Sequence, residues 1–103
     1  MVTINSLLKV IPSGKKNAIH AEDIARQLNL PTGGNQVEAR GLIRDAIQQG
    51  NIILSSQGGY WCSNDKKEVE AYIKSLNDRA REISDRSSAI KQAWNSLNPN
   101  NTI

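Results

Sequence analysis

Apolar residues recur at intervals of three and four positions between Ile4 and Ile11. This spacing predicts a short amphipathic helix that turns one face toward a core. Thr3 or Asn5 can cap the start of this helix, and Pro12 stops it because proline cannot continue helical hydrogen bonding.

A second helix is predicted between a short strand segment at 18–20 and a break at 29–34. Glu22 and Asp23 lie in its first turn, where carboxylates interact favourably with the positive end of the helix dipole. The break reads Asn-Leu-Pro-Thr-Gly-Gly, and its proline and paired glycines end the helix and start a turn.

A third helix is predicted to begin after Asn35 and to run to about Gln49. Asn35 and Glu38 resemble a capping box in which Asn replaces Ser or Thr. Gly50 stands where a glycine commonly follows the last helical turn.

Two β-prone segments, 51–56 and 60–63, are separated by Gln57-Gly58-Gly59 and predict a hairpin. A fourth helix, capped by Ser63 or Asn64, then meets no helix-breaking residue before Pro99. It is far longer than an average globular helix.

These elements predict a mainly α fold with a small β-hairpin. A helix, a turn, a second helix and a hairpin in this order are the layout of a winged helix-turn-helix, a module that most often places one helix in the major groove of DNA. We assign residues 1–63 to this domain, 64–97 to a long C-terminal helix that forms a coiled coil, and 98–103 to a disordered tail.

The third helix has an apolar side and a polar side when its residues are set out at 100° each. The apolar side is predicted to pack on the domain and contains Ala39, Leu42, Ile43, Ala46 and Ile47. The opposite side contains Val37, Gly41, Arg44, Asp45 and Gln48, with Arg40 and Gln36 at its margin.

The polar side has residue types that can read a major groove. Arg44 and Arg40 can pair with guanine or phosphate, Gln48 can meet adenine, and Val37 can touch a thymine methyl group. The same residue types are common on any solvated helix face, and Asp45 on this side repels phosphate. Gly41, which has no side chain, allows close backbone approach to DNA or to the second helix.

Other residues are predicted to contact the phosphate backbone. Arg26 belongs to the second helix, and Lys15 and Lys16 lie in the first loop, where solvated lysines are also common. Asn35 precedes the third helix, whose free amides can hold a phosphate oxygen. Gln57 lies in the hairpin turn, which contains no Lys or Arg and is therefore expected to play a minor role.

Residues 42–61 resemble the amino-terminal DNA-binding domain of biotin-repressor-like proteins, where a helix, a Gly, an Ile-Ile strand and a Gly-Gly-Tyr wing follow in this order. Residues 20–28 look like the first motif helix of that family, and the likeness covers about 5–63. The resemblance implies a DNA-binding domain of the kind found in small bacterial and phage regulators. The chain has no counterpart of the ligand or catalytic domain, so no biotin or ligase function is implied.

The fourth helix carries apolar residues at alternating intervals of four and three over four heptads, which favours a coiled coil. The predicted self-association residues are Val69, Ile73, Leu76, Ala80, Ile83, Ile90, Trp94 and Leu97, with Ser87 in the same pattern. Two alternatives remain open: the first part of the helix packs on the domain, or the whole helix folds back on it.

The chain of 103 residues has a net charge of +3 and a sequence pI of about 9.2, which fits a phosphate-rich partner but is modest. Its single cysteine, Cys62, suits a reducing cytosol, and a cytoplasmic location is expected. The sequence has no signal peptide, no membrane span, no metal-binding spacing and no catalytic constellation. We therefore expect no enzyme activity, cofactor, small-molecule ligand or membrane partner.

These patterns favour two functions. The first is a homo-oligomeric protein of bacterial or phage type that binds double-stranded DNA in transcription or replication control, with helix 36–49 in the major groove. The alternative is a winged-helix adaptor that docks another protein through its C-terminal helix.

Overall fold

The computed structural model describes residues 2–103 and has the predicted class, mainly helical with a small antiparallel hairpin and a long C-terminal helix. A short 3₁₀ turn, Lys15–Asn17, separates the first two helices. The helices are α1 (Ile4–Val10), α2 (Ala21–Gln27), α3 (Val37–Gln48) and α4 (Lys66–Leu97), and the strands are β1 (Ile53–Ser56) and β2 (Gly59–Cys62).

The chain forms two compact units, one ending at Val69 and the other beginning at Glu70. The sequence pattern placed the boundary at residue 63. The first turn of α4 belongs to the N-terminal unit because the indole Nε1 of Trp61 donates a hydrogen bond to Glu68 Oε1 at 3.0 Å.

Three helices and the hairpin enclose the core of the N-terminal unit. The main cluster of buried side chains contains Leu7, Ile11, Ile24, Ala25, Ala39, Ile43, Ala46 and Ile53, and Ala21, Leu54 and Trp61 are buried as well. The prediction that Ile47 lies on the packed side of α3 is wrong, since 46% of this residue is exposed. Ile47 lies in the last turn of α3, where the chain turns away at Gly50 and leaves the side chain half covered.

The ends of α1 and α3 show how local sequence signals work. The Thr3 hydroxyl accepts a hydrogen bond from the Ser6 amide, which confirms one of the two predicted caps of α1. At the end of α3, Gly50 has φ = 103° and its amide donates to Ile47, while the Asn51 amide donates to Ala46. This pair of bonds is a Schellman motif and confirms the predicted glycine.

The start of α3 differs from the prediction. Asn35 does not cap the helix, because Gln36 holds the cap position and makes no side-chain capping bond. Both residues have a left-handed backbone, with φ = 67° for Asn35 and 53° for Gln36. The Gln36 side chain instead donates to the Thr32 carbonyl at 2.8 Å, which closes the turn between α2 and α3. The predicted capping box of Asn35 with Glu38 is therefore wrong.

The hairpin is one residue tighter than the sequence suggests. Ser56 pairs with Gly59, so the turn consists of Gln57 and Gly58 alone. The predicted strand segment at 18–20 is reduced to a bridge, in which Ile19 exchanges two backbone hydrogen bonds with Tyr60.

Gly59 is the residue that allows this bridge, and its replacement gives a first prediction. Its φ is +115°, and an added Cβ would overlap the Ile19 carbonyl. We expect Gly59→Ala to lower the free energy of unfolding by about 2 kcal/mol, through backbone strain and weakened bridge hydrogen bonds. Urea unfolding measures this change.

Gly58→Ala is the matched control, because an added Cβ there meets only the Ser56 hydroxyl at 3.6 Å, an ordinary contact. Equal stability of the two variants would contradict a special role for Gly59.

The start of α4 also differs from the prediction. The Asp65 carboxylate, not Ser63 or Asn64, accepts hydrogen bonds from the amides of Lys67 (3.0 Å) and Glu68 (3.4 Å). The Ser63 hydroxyl instead accepts a hydrogen bond from the Asp65 amide, one step before the helix begins. Asp65 is the cap because α4 starts at Lys66. The residue directly before a helix is the one whose side chain can reach the first free amides.

The tail assigned to disorder turns back along the end of α4. The indole of Trp94 donates to the Asn101 carbonyl at 2.7 Å, and the Ile103 amide donates to Asn95 Oδ1 at 2.9 Å. The side chains of Trp94 and Asn95 thus provide hydrogen-bond partners for backbone groups of the tail.

Candidate nucleic-acid interface

The polar side of α3 faces outward. Packing of Ala39, Ile43 and Ala46 into the core orients the helix, and the residues opposite them are uncovered. Val37 is 73% exposed, and the side chains of Arg44, Asp45 and Gln48 are also exposed, with Gly41 partly so. We call these five residues, Val37, Gly41, Arg44, Asp45 and Gln48, the outer face of α3.

Arg44 is the cation on this outer face. A Cβ built on Gly41 would lie 3.7 Å from the Arg44 Nη2 atom, so the guanidinium rests over the glycine. Within residues 2–103, this guanidinium has no hydrogen bond or ion pair that would have to break before it met an anion. Asp45 and Glu38 are exposed acids on the same helix, so the local charge is mixed.

Arg40 differs from Arg44 because its side chain is held by two hydrogen bonds. Its Nε donates to the Asn35 carbonyl at 2.7 Å, and its Nη1 donates to the Tyr60 hydroxyl at 3.0 Å. Arg40 therefore links the turn before α3 to strand β2. The sequence pattern did not indicate this bond, since the two residues lie 20 positions apart.

A polar cleft of about 440 Å³ lies beside this link. It brings together three predicted DNA-binding residues, Gln36, Arg40 and Gln57. Its lining also includes His20, Glu22, Ser55 and Tyr60. The cleft joins the start of α3 to the hairpin turn, and it offers hydrogen-bond donors along with the charge of Arg40.

Arg26, predicted to contact phosphate, is paired within its own helix. Its guanidinium contacts Glu22 at 2.9 Å and Asp23 at 3.2 Å. All three side chains are about half exposed or more, with Arg26 62% exposed. Exposed ion pairs of this kind are weak, so a phosphate can compete with them, but the acids lower the net attraction.

The predicted lysines lie on the 3₁₀ turn, and both are exposed. The ammonium of Lys15 lies 5.8 Å from the centre of the Trp61 ring, a cation–π distance. Lys15 is thus engaged with Trp61, whereas the polar cleft is lined by other residues. The backbone carbonyl of Asn35 accepts the hydrogen bond from Arg40 Nε, so the role that the structure gives Asn35 is in the turn before α3.

Glu68 is an ionisable residue that sequence reasoning did not single out for a structural role. Hydrogen bonds from Ser63 and Trp61, together with the charge of Lys15, lower the pKa of the Glu68 carboxyl. A carboxyl with a lowered pKa in the folded state stabilises the fold above its ordinary pKa and loses that contribution as the pH falls through the folded-state value.

A second prediction concerns this pKa. We expect the N-terminal unit to lose stability as the pH drops below the ordinary range of a glutamate, and Glu68→Gln to remove part of that pH dependence. Thermal unfolding monitored by Trp fluorescence between acid and neutral pH measures it. Asp45→Asn is the control, and an equal change in its pH profile would contradict the assignment to Glu68.

The outward residues of α4 form the second candidate surface. None of the described residues of this helix is buried. Along the heptad positions, exposure is 51% for Ile73, 42% for Leu76, 60% for Ile83, 63% for Ile90, 42% for Trp94 and 81% for Leu97. We call these residues, with Val69, Ala80 and Ser87, the apolar stripe.

Among residues 2–103, no group of His, Cys, Asp and Glu side chains is arranged to hold a metal ion. None of the helices in that range combines the length and apolar character that a bilayer crossing requires. Cys62 is half-buried, and burial raises the pKa of its thiol, which lowers its reactivity at neutral pH.

Comparison with known proteins adds no functional information. The chain has no significant match among protein-family models, curated proteins or solved structures.

Proposed function

We propose that this chain is a homo-oligomeric DNA-binding protein of the winged helix-turn-helix type, which places α3 in the major groove and acts in transcription or replication control of the bacterial or phage kind. The observation that carries the proposal is the outer face of α3. It is exposed along the whole helix, and it presents Arg44 and Gln48, whose side chains match base edges in the major groove.

The elements around α3 support the same geometry. The turn at 29–36 joins α2 to α3, and the Arg40 link ties that turn to the hairpin. A duplex lying along α3 would place a phosphate strand near the polar cleft, where Gln36 and Gln57 can donate hydrogen bonds. In this arrangement Arg40 positions α3 against the hairpin, and Arg44 is the candidate base reader.

Electrostatics set the expected strength of binding. Residues 1–63 contain six Lys and Arg against four Asp and Glu, a net charge of +2, and Arg26 is already paired. Tight binding therefore needs two copies on one duplex. The apolar stripe supports self-association, because hiding several large aliphatic side chains is worth several kcal/mol at about 25 cal/mol per Å².

The proposal is tested by titrating the full chain against labelled random duplex DNA at two salt concentrations. With about three to four phosphates contacted per binding event, affinity should fall by roughly 40- to 150-fold between about 50 and 200 mM salt. Absence of binding at the lower salt concentration would overturn the DNA-binding proposal.

The alternative is an adaptor that docks another protein through α4. The hairpin turn, Gln57 and Gly58, contains no basic residue, and the long helix exposes the apolar stripe. Both observations favour this alternative if the duplex titration is negative.

A further inference from the structure

We infer that the apolar stripe of α4 binds a second copy of the same stripe in the antiparallel direction, in the register that sets Ile73 opposite Ile90 of the partner subunit. The inference rests on the proposed self-association and adds the direction and register. It is carried by the order of large and small residues along the stripe and by the charges that flank it.

Two consecutive positions on one edge of the stripe are small, Ala80 and Ser87. In a parallel pair each would face its own copy, and the layers on both sides of the Ile83 layer would be underfilled, which costs stability. In the antiparallel register, Ala80 faces the partner's Ile83 and Ser87 faces the partner's Leu76. Each small residue then meets a large one, the arrangement that fills a core best.

The shape of the helix surface agrees with this pairing. Ile83, Ser87 and Ile90 line an apolar groove of about 510 Å³, and Arg86, Lys91 and Ile103 complete its lining. Ser87 lies between the two isoleucines in this groove, so the space above its short side chain is open to a larger apolar group. Leu76 of the partner subunit is the residue that the register brings there.

Flanking charges favour the same direction. In a parallel pair, Glu70 lies beside Asp65 of the partner subunit and Arg86 lies beside the partner's Lys91, so both contacts repel. In the antiparallel pair, Glu70 lies beside the partner's Lys91, and by symmetry this attraction occurs twice. The opposite flank sets Arg79 near the partner's Arg86, and this repulsion also occurs twice. The flanking charges of the antiparallel pair therefore nearly cancel, whereas both flanking contacts of the parallel pair repel.

The register predicts distances along the pair. At 1.5 Å per residue, the two copies of Ala71 are offset by about 31 Å along the axis, as are the two copies of Gln92. The two copies of Asp85 are offset by only about 10 Å. All three positions lie on the side of α4 opposite the stripe and are exposed. A parallel pair has no axial offset at any of them.

The test is pulsed electron paramagnetic resonance on the full chain with one nitroxide label per copy. The variants Ala71→Cys, Asp85→Cys and Gln92→Cys are each made in a Cys62→Ala background, which removes the native thiol but keeps a small apolar group. Circular dichroism checks that the helical signal is kept, and light scattering gives the mass.

We expect a mass of two chains, equal long distances for the labels at positions 71 and 92, and a clearly shorter distance at position 85. Three equal distances would overturn the antiparallel inference and leave self-association intact. A mass of one chain without dipolar coupling would overturn both, while DNA binding is decided separately by the duplex titration.

Discussion

Ile83→Asp is expected to separate the oligomer into single chains. Ile83 is 60% exposed in the isolated chain and lies near the middle of the apolar stripe. An aspartate there would put one carboxylate per copy into the seam, where an unpaired buried charge is costly. The buried charge and the lost apolar burial together are expected to weaken the free energy of association by at least about 3 kcal/mol. This corresponds to a dissociation constant raised roughly 100-fold.

Sedimentation equilibrium over a range of concentrations measures this shift. Ser88→Asp is the matched control, since it adds the same charge to the same helix at an exposed position outside the stripe. Retention of the oligomer in Ile83→Asp, or equal dissociation of both variants, would contradict the role of the stripe. Urea unfolding of the N-terminal unit should be the same in both, because Ile83 contributes nothing to its core.

Loss of the oligomer should also weaken DNA binding. Two linked copies gain from effective concentration, because the second contact becomes intramolecular once the first has formed. Ile83→Asp is therefore expected to bind duplex DNA more weakly while its outer face of α3 stays intact. The adaptor alternative predicts no duplex binding for the native chain or the variant.

The sequence predicted the fold where the deciding signal is local. The Thr3 cap depends on residues within one turn, and Gly50 occupies a position that favours a left-handed backbone. Predicting the long helix needed only the observation that no helix-breaking residue occurs before Pro99. The helix ends at Leu97, two residues before that proline. Such features need no knowledge of what packs against them.

The sequence failed where tertiary contacts decide the local geometry. Asn35 has the chemistry of a helix cap, yet the turn closed by Gln36 and Thr32 gives Asn35 a left-handed backbone and moves the helix start. The bond between Arg40 and Tyr60 joins residues 20 positions apart, so no periodicity indicates it. For the candidate site, the pattern found the exposed side of α3 but assigned Arg40 and Arg44 the same role.

Arg44→Ala is expected to cause the largest loss of DNA affinity among single substitutions on α3. Its guanidinium lies on the exposed outer face, over Gly41, whereas Arg40 is held by Asn35 and Tyr60. If Arg44 reads a base, its removal costs about 1–3 kcal/mol per site. Two copies on one duplex would lose about twice that amount, since each copy makes the contact once.

The measurement compares the preferred site, obtained by selection from a random duplex pool, with an unselected duplex. Loss of affinity for the preferred site alone identifies a base contact, whereas an equal loss for both duplexes with a salt slope reduced by about one per bound copy identifies a phosphate contact. Arg81→Ala is the matched control, because it removes the same charge from an exposed position on α4. Unchanged affinity for both duplexes in Arg44→Ala would exclude Arg44 from the interface, and with it the major-groove placement of α3.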